Sequence, residues 1–133
     1  FSEISTIDRL IRAQISKILP DNMAISHLSV LNHLSSIQNE KTPMQLAKSF
    51  HVTKGAMTNT LSKLEASGYI NIRPDWNDAR KKQVKISKAG AEAQREAIQS
   101  ITPILDKVIS KLGKEKADLA LPIIRELRNI LIN

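Results

Sequence analysis

The stretch 42–90, TPMQLAKSFHVTKGAMTNTLSKLEASGYINIRPDWNDARKKQVKISKAG, constrains the chain more than any other, because two short helical patterns meet at a tight turn and a basic hairpin pattern follows at once. Thr42-Pro43-Met44-Gln45 is a helix start: a threonine cap, proline at the first helical position and glutamine at the capping-box position. Leu46, Ala47 and Phe50 follow at helical spacing, so this helix is predicted to run to about Phe50. His51-Val52-Thr53 reads as a turn with one buried valine, and Thr53 is placed to cap a second helix. Met57, Leu61 and Leu64 share one face of that second helix, Lys54, Gly55, Thr58, Asn59, Ser62 and Lys63 lie on its other faces, and Gly68 stops it. Two helices joined by about three residues, the second polar on its outer side, fit a helix-turn-helix whose second helix enters a major groove. An ordinary helical hairpin with a solvated face fits those residues equally well.

The residues after Gly68 separate the two readings. Tyr69-Ile70-Asn71-Ile72-Arg73 alternates as a strand, Pro74-Asp75-Trp76-Asn77-Asp78-Ala79-Arg80 is turn chemistry, and Gln83-Val84-Lys85-Ile86 alternates again before Ser87, a cap for the next helix. Arg73, Arg80, Lys81, Lys82, Lys85 and Lys88 crowd this hairpin against Asp75 and Asp78 only. A cationic hairpin beside a recognition helix is a wing, and nucleic acid is its natural ligand.

These residues resemble the MarR family of bacterial transcriptional regulators. The matching features are Leu46-Ala47, Val52-Thr53-Lys54, Thr58, Leu61, and Leu64-Glu65 followed by Gly68-Tyr69-Ile70. In the wing they are Arg73, the Asp78-Ala79-Arg80 triplet, Val84, Ile86-Ser87 and Gly90. The close match covers roughly a third of the chain, and the flanking helical patterns fit the family's layout.

Length and composition fit one domain. The 133 residues, 41% hydrophobic and 25% charged, are ordinary globular values, and the net charge of +7 permits an anionic partner without naming one. The absence of cysteine removes disulfides, thiolate catalysis and thiol redox sensing. No run of about 18 apolar residues predicts a membrane span. No signal peptide is visible and the chain starts at Phe1, so its N-terminus is expected to be missing or trimmed and its location cytoplasmic.

On the N-terminal side, Ile4, Ile7, Leu10, Ile11, Ile15 and Ile18 form a helical stripe that Pro20-Asp21-Asn22 breaks. Leu28, Leu31 and Leu34, widened by Val30 and Ile37, mark a second helix over about 26–38, and Asn39-Glu40-Lys41 reads as a polar turn. This second helix is expected to pack behind the recognition helix. Beyond the wing, Ile98, Ile101, Leu105, Val108 and Leu112 mark a long helix over about 88–112, which Pro103 should bend. Gly113 breaks it, and Leu119, Ile123, Ile124, Leu127, Ile130 and Leu131 mark a last helix with a second possible kink at Pro122. The terminal helices carry apolar faces that the small core cannot all cover. They either bundle within one chain or meet a second copy; the resemblance favours a homodimer.

The expected architecture is therefore mainly α with a small β-hairpin wing, as one MarR-like domain over 1–133. Residues 22–90 form the winged helix-turn-helix, and 1–19 with 91–133 are dimerisation helices. The expected contacts to double-stranded DNA are Thr53, Lys54, Thr58, Asn59 and Lys63 from the recognition helix, and Arg73, Asp78, Arg80, Lys81 and Lys82 from the wing. Asparagine can pair with adenine, and lysine can reach guanine or phosphate. Many family members carry an arginine where Asn59 stands, so the base read there is expected to differ. The resemblance implies that Arg80 enters the minor groove, oriented by Asp78, while Arg73, Lys81 and Lys82 touch phosphates or solvate the wing. Trp76 is expected to pack against the wing base.

The resemblance further implies a repressor released from a pseudo-palindromic operator by a small aromatic or anionic effector, although aromatic residues at 3% reveal no effector box. A member that works without a ligand is a variant of that reading. His27, His33 and His51 lack the spacing of a metal site, and Ser26 and Ser29 suit capping and surface roles. Four glycines include no phosphate-binding loop, so no enzyme and no cofactor are expected. A winged module that binds protein without specific DNA binding is the main alternative, although a protein interface calls for an exposed apolar patch rather than clustered cations. RNA binding would call for stacking aromatics.

Overall fold

A computed structural model describes residues 1–37 and 39–132. The chain divides into two compact units, one from Phe1 to Ser100 and one starting at Ile101.

The first unit contains α1 (Ser2–Ser16), α2 (Ile25–Ser36), α3 (Pro43–Ser49), α4 (Lys54–Ala66), β1 (Ile70–Pro74), β2 (Lys82–Ile86) and the start of α5 (Lys88–Leu112). Its core is built from Leu28, Val30, Leu31 and Leu34 of α2, Leu46 and Ala47 of α3, Met57, Leu61 and Leu64 of α4, and Ile70 and Val84 of the hairpin, all buried. The sequence stripes of α2 and α4 thus face one another, and α2 packs behind α4 as its spacing predicts. Burial of each such leucine contributes about 1.5–3 kcal/mol.

The helix ends follow local chemistry. Thr42 Oγ1 accepts from the Gln45 N–H at 3.1 Å while Gln45 Oε1 accepts from the Thr42 N–H at 2.9 Å, completing the capping box of α3. Thr53 Oγ1 accepts from the Ala56 N–H at 3.1 Å and starts α4. Both helices of the pair end in the same way, with a left-handed residue: His51 at φ 52° after α3 and Gly68 at φ 74° after α4. Around each, two backbone bonds close the helix end: Val52 N–H to Ala47 O (3.1 Å) and His51 N–H to Lys48 O (3.2 Å), then Tyr69 N–H to Leu64 O and Gly68 N–H to Glu65 O (both 2.9 Å). Glycine adopts this conformation without the Cβ penalty that His51 bears.

Several sequence expectations need correction. Val52 is exposed rather than buried, because the turn carries its side chain past the edge of the core. Asn39-Glu40-Lys41 is more than a turn: Lys41 joins the wing as a third strand-like segment, its N–H and C=O paired with Val84 at 3.1 and 2.8 Å. Helix α2 ends at Ser36, and the expectation for Gln38 lies outside the described residues. The stripe of α1 is shorter than its pattern, since the helix stops at Ser16 and Ile18 falls in the turn behind it. That turn buries Leu19 and Met23.

The hairpin is antiparallel, with Ile70 opposite Ile86, Ile72 opposite Val84 and Arg73 opposite Gln83. Its apolar residues share one face of the pleat, toward the helices. The hairpin leads directly into α5. Ser87 Oγ donates to Gly68 O at 2.6 Å and accepts from the Gly90 N–H at 3.0 Å. Gly90 is buried, and a Cβ placed there would come within 1.9 Å of the Tyr69 carbonyl oxygen, so only glycine fits this crossing.

Helix α5 continues through Pro103 to Leu112, and α6 (Lys114–Ile132) continues through Pro122 after Gly113. No residue of α6 or of α1 is buried. Leu119, Ile124 and Leu131 of α6 are 60–70% exposed, and Ile4, Ile7 and Leu10 of α1 are more than half exposed.

Candidate nucleic-acid interface

Helix α4 buries Met57, Leu61 and Leu64. At 3.6 residues per turn, the side opposite that stripe carries Gly55, Asn59 and Ser62, with Lys54 and Thr58 on one flank and Lys63 on the other. Lys54, Thr58, Asn59, Ser62 and Lys63 are all exposed. The hydroxyl of Thr58 donates to the Lys54 carbonyl at 2.8 Å, which leaves its oxygen free to accept. The Thr53 oxygen is used as the cap, which leaves its hydroxyl hydrogen to donate outward.

The wing turn is ordered by two carboxylates. Asp75 accepts from the backbone N–H groups of Asn77 (2.8 Å) and Asp78 (3.1 Å) and from Gln83 Nε2 (2.6 Å). The Gln83 bond, then the Asn77 bond, holds its carboxyl below the ordinary carboxylate value. Asp78 accepts the Arg80 N–H at 3.1 Å and takes the Arg80 guanidinium at 3.1 Å through Nε and 3.3 Å through Nη2. The Arg80 side chain, followed by its backbone N–H, depresses the Asp78 carboxyl in the same way. The Arg80 side chain is itself 91% exposed, so it is aimed at one end and free in solvent at the other.

Recognition helix and wing meet across a groove of about 580 Å³. The start of α3 (Pro43, Met44) forms one wall, Lys54, Thr58 and Ser62 a second, and Arg80, Lys81 and Lys82 the third, with Leu61 and Ile72 also lining it. The structure thereby brings together Lys54, Thr58, Arg80, Lys81 and Lys82. Asn59 and Lys63 are not in this lining; they stand on the outer and far sides of α4. Ser62, which the sequence places on the outer faces of this helix but not among the expected contacts, also lines the groove, four residues from Thr58.

Arg73 differs from the other cations of the wing. Its guanidinium is held by the Glu40 carboxylate, donates to the Pro74 carbonyl at 2.8 Å and lies over the Trp76 ring at 4.3 Å from its centroid. The Glu40 partner, 33 residues away, is absent from a count of charges within the hairpin. Trp76 departs from expectation as well: it is 82% exposed, with Arg73 against its ring rather than a buried position at the wing base.

Behind the interface, His27 rather than Ser26 or Ser29 caps the start of α2, and Ser26 lies at the surface. The His27 Nδ1 accepts the Ala24 N–H at 3.1 Å at the start of the helix, whereas Ser29 Oγ bonds back to Ile25 O. Burial chiefly, with the charge of Lys63 adding to it, keeps the His27 pKa below its ordinary 6.5 against an opposing hydrogen bond at Asn22. Among the described residues no group of three or more His, Asp or Glu could hold a metal ion, and no helix is long and apolar enough to cross a membrane.

Comparison with known proteins agrees with this geometry. The sequence profile of the MarR family matches residues 21–81. In fold, the chain is similar to a mutant MarR from E. coli crystallised with operator DNA, at a TM-score of 0.85 and 20% identity over 95% of this chain and 91% of that one. It is also similar to the transcriptional regulator BldR from Sulfolobus solfataricus (TM-score 0.75, 22% identity, 96% and 94% covered). The regulator Tm0710 from Thermotoga maritima gives a TM-score of 0.60 at 26% identity, with 98% and 92% covered. The profile covers the helix-turn-helix with the first strand and turn of the wing, the whole chain is matched in fold, and the protein is a winged helix-turn-helix protein similar to the MarR family.

Proposed function

We propose that this DNA-binding regulator is a homodimeric repressor of a pseudo-palindromic operator, and that a small effector relieves the repression. The observation that carries the reading is the pairing of two cationic elements across one groove, an α4 with its polar side outward and a wing whose Arg80 is pre-aimed by Asp78. Asn59 and Lys63 reach base edges or phosphates, Lys54 and the Thr53 hydroxyl fix the helix start on the backbone, and Thr58 accepts or packs beside them. Arg80 enters the adjoining minor groove, where a narrow A·T-rich segment concentrates negative potential, and Lys81 and Lys82 face phosphates. Arg73 serves the wing rather than the phosphate backbone, for the reasons given below.

The exposed apolar residues along α1 and, separately, along α6 support self-association, since apolar stripes left in solvent mark interaction surfaces. Residues 22–90 act as the DNA-binding part and the terminal helices 1–19 and 91–133 as the dimerisation part of one functional domain. An aromatic or anionic effector acts by favouring a dimer geometry whose recognition helices misfit successive major grooves. The protein carries out no catalysis and works in the cytoplasm with its DNA. Selection of bound duplexes from a random pool, repeated at several salt concentrations, tests the reading. The expected result is a two-fold consensus with half-sites about 10 base pairs apart and affinity falling steeply with salt. Weak binding with no consensus would favour the protein-interaction alternative.

A further inference from the structure

The cluster at Arg73 is unlike a phosphate contact. The Glu40 and Arg73 side chains are only 28% and 29% exposed, whereas Arg80 is almost entirely in solvent. Arg73 Nε donates to Glu40 Oε1 at 3.0 Å, Nη2 meets the second carboxylate oxygen, and Nη1 donates to Pro74 O at 2.8 Å. All three nitrogens are therefore engaged, and the guanidinium carbon lies over the Trp76 ring. A guanidinium neutralised by a carboxylate, with three of its five N–H groups committed, has less to offer a phosphate than the exposed Arg80.

Glu40 belongs to the segment between α2 and α3. The next residue, Lys41, is bonded through its backbone to Val84 of β2, and two residues later Pro43 opens the first helix of the helix-turn-helix. The linker thus grips both strands of the wing, β2 through the Lys41 backbone and β1 through the Glu40 carboxylate. Trp76 sits in the turn that also carries Asp78 and Arg80, so the Glu40–Arg73–Trp76 stack connects the helix-turn-helix to the part of the wing that holds Arg80.

We infer that Glu40 is a positioning residue for DNA binding: through Arg73 and Trp76 it fixes the angle of the wing, and it contacts no DNA itself. This rests on the DNA-binding reading above. It has a consequence opposite in sign to simple electrostatics. Removing a carboxylate near a DNA-binding surface ordinarily raises affinity, because the protein becomes more positive. Removing this one frees Arg73, unstacks Trp76 and loosens the wing, so affinity falls.

The test uses the full chain with Glu40→Gln, Arg73→Lys and the double variant, against the selected duplex over a range of salt. Trp76, the only tryptophan, reports the stack through its emission and its quenching by iodide. The expected result is a loss of about tenfold in affinity for Glu40→Gln, with an unchanged slope of affinity against salt. Arg73→Lys should lose a similar amount despite keeping its charge, the double variant should lose little more than either, and Trp76 quenching should change in all three. Equal or higher affinity in Glu40→Gln, or a shallower salt slope with full affinity retained on Glu40→Gln, would overturn the proposal and return Arg73 to the phosphate contacts. Failure of the unmodified protein to select any duplex would instead remove the DNA-binding reading. Trp76 quenching would then decide the stack alone, unchanged values in Glu40→Gln and Arg73→Lys overturning it.

Discussion

The recognition helix and the wing present cations to the same groove but are held by different forces. Helix α4 is fixed by buried Met57, Leu61 and Leu64, and its polar residues project from a face that packing alone has set. The wing buries only Ile70 and Val84, and its turn is held by the Asp75, Asp78 and Glu40 carboxylates. An apolar stripe has no group to titrate and no charge to screen, whereas carboxylate-ordered turns respond to pH and to ionic screening. The helix therefore gives the interface its constant register, and the wing is the part that conditions and mutations can tune.

The largest effect separating the two should come from the helix core. Leu64, 1% exposed, replaced by alanine should cost about 2–5 kcal/mol of folding stability in urea unfolding, and DNA binding should be lost with the fold. Arg80→Ala should leave the unfolding curve in place and cost about 1–3 kcal/mol of DNA affinity, since the side chain is 91% exposed and its ion pair is with the neighbouring Asp78. If Arg80→Ala lowers stability instead, the division between packing and polar ordering is wrong.

The next effect is in pH. The His27 pKa is depressed in the folded state, so between that value and the ordinary 6.5 the unfolded chain binds more protons. Stability from this group is complete above 6.5, declines as pH falls toward the folded value, and levels off below it. His27→Gln keeps a capping side chain that does not titrate, so its unfolding free energy should lose this slope. Asp75 and Asp78 behave differently: their contribution is present above the ordinary value of 3.8 and fades only as pH falls through their lower folded values. Trp76 emission, which follows the wing, should accordingly hold steady through the window in which His27 acts and change only in stronger acid. A common midpoint for both signals would contradict the separation. The smallest effect concerns the turn before α4, where His51→Gly should raise stability by about 0.5–1 kcal/mol by relieving the left-handed backbone.

Legibility from sequence follows the range of the interactions. The Thr42–Gln45 capping box, the Thr53 cap, the Gly68 stop and the hairpin alternation are all settled within a few neighbours, and the structure places them as read. The Asp78–Arg80 pair is local too, and its geometry matches the orienting role that the family resemblance implies. What sequence did not reveal lies between distant segments. Glu40 meets Arg73 across 33 residues, and Lys41 pairs with Val84 only because the hairpin folds back beside it. His27 shows no capping signature in its composition, because imidazole is an uncommon N3 acceptor and its role depends on Ala24 leaving the helix at that point. Val52 looked buried because it is apolar, but a residue just past a left-handed turn goes where the turn sends it.

The most direct test of a two-part interface is chemical footprinting of the selected operator, with hydroxyl radicals to report the minor groove and guanine methylation to report the major groove, for the unmodified protein and for Arg80→Ala. The account predicts two protected major-groove segments about one turn apart in both proteins, with flanking minor-groove protection present in the first and lost in the second. Minor-groove protection that survives Arg80→Ala, or major-groove protection that vanishes with it, would show that helix and wing do not divide the site in this way.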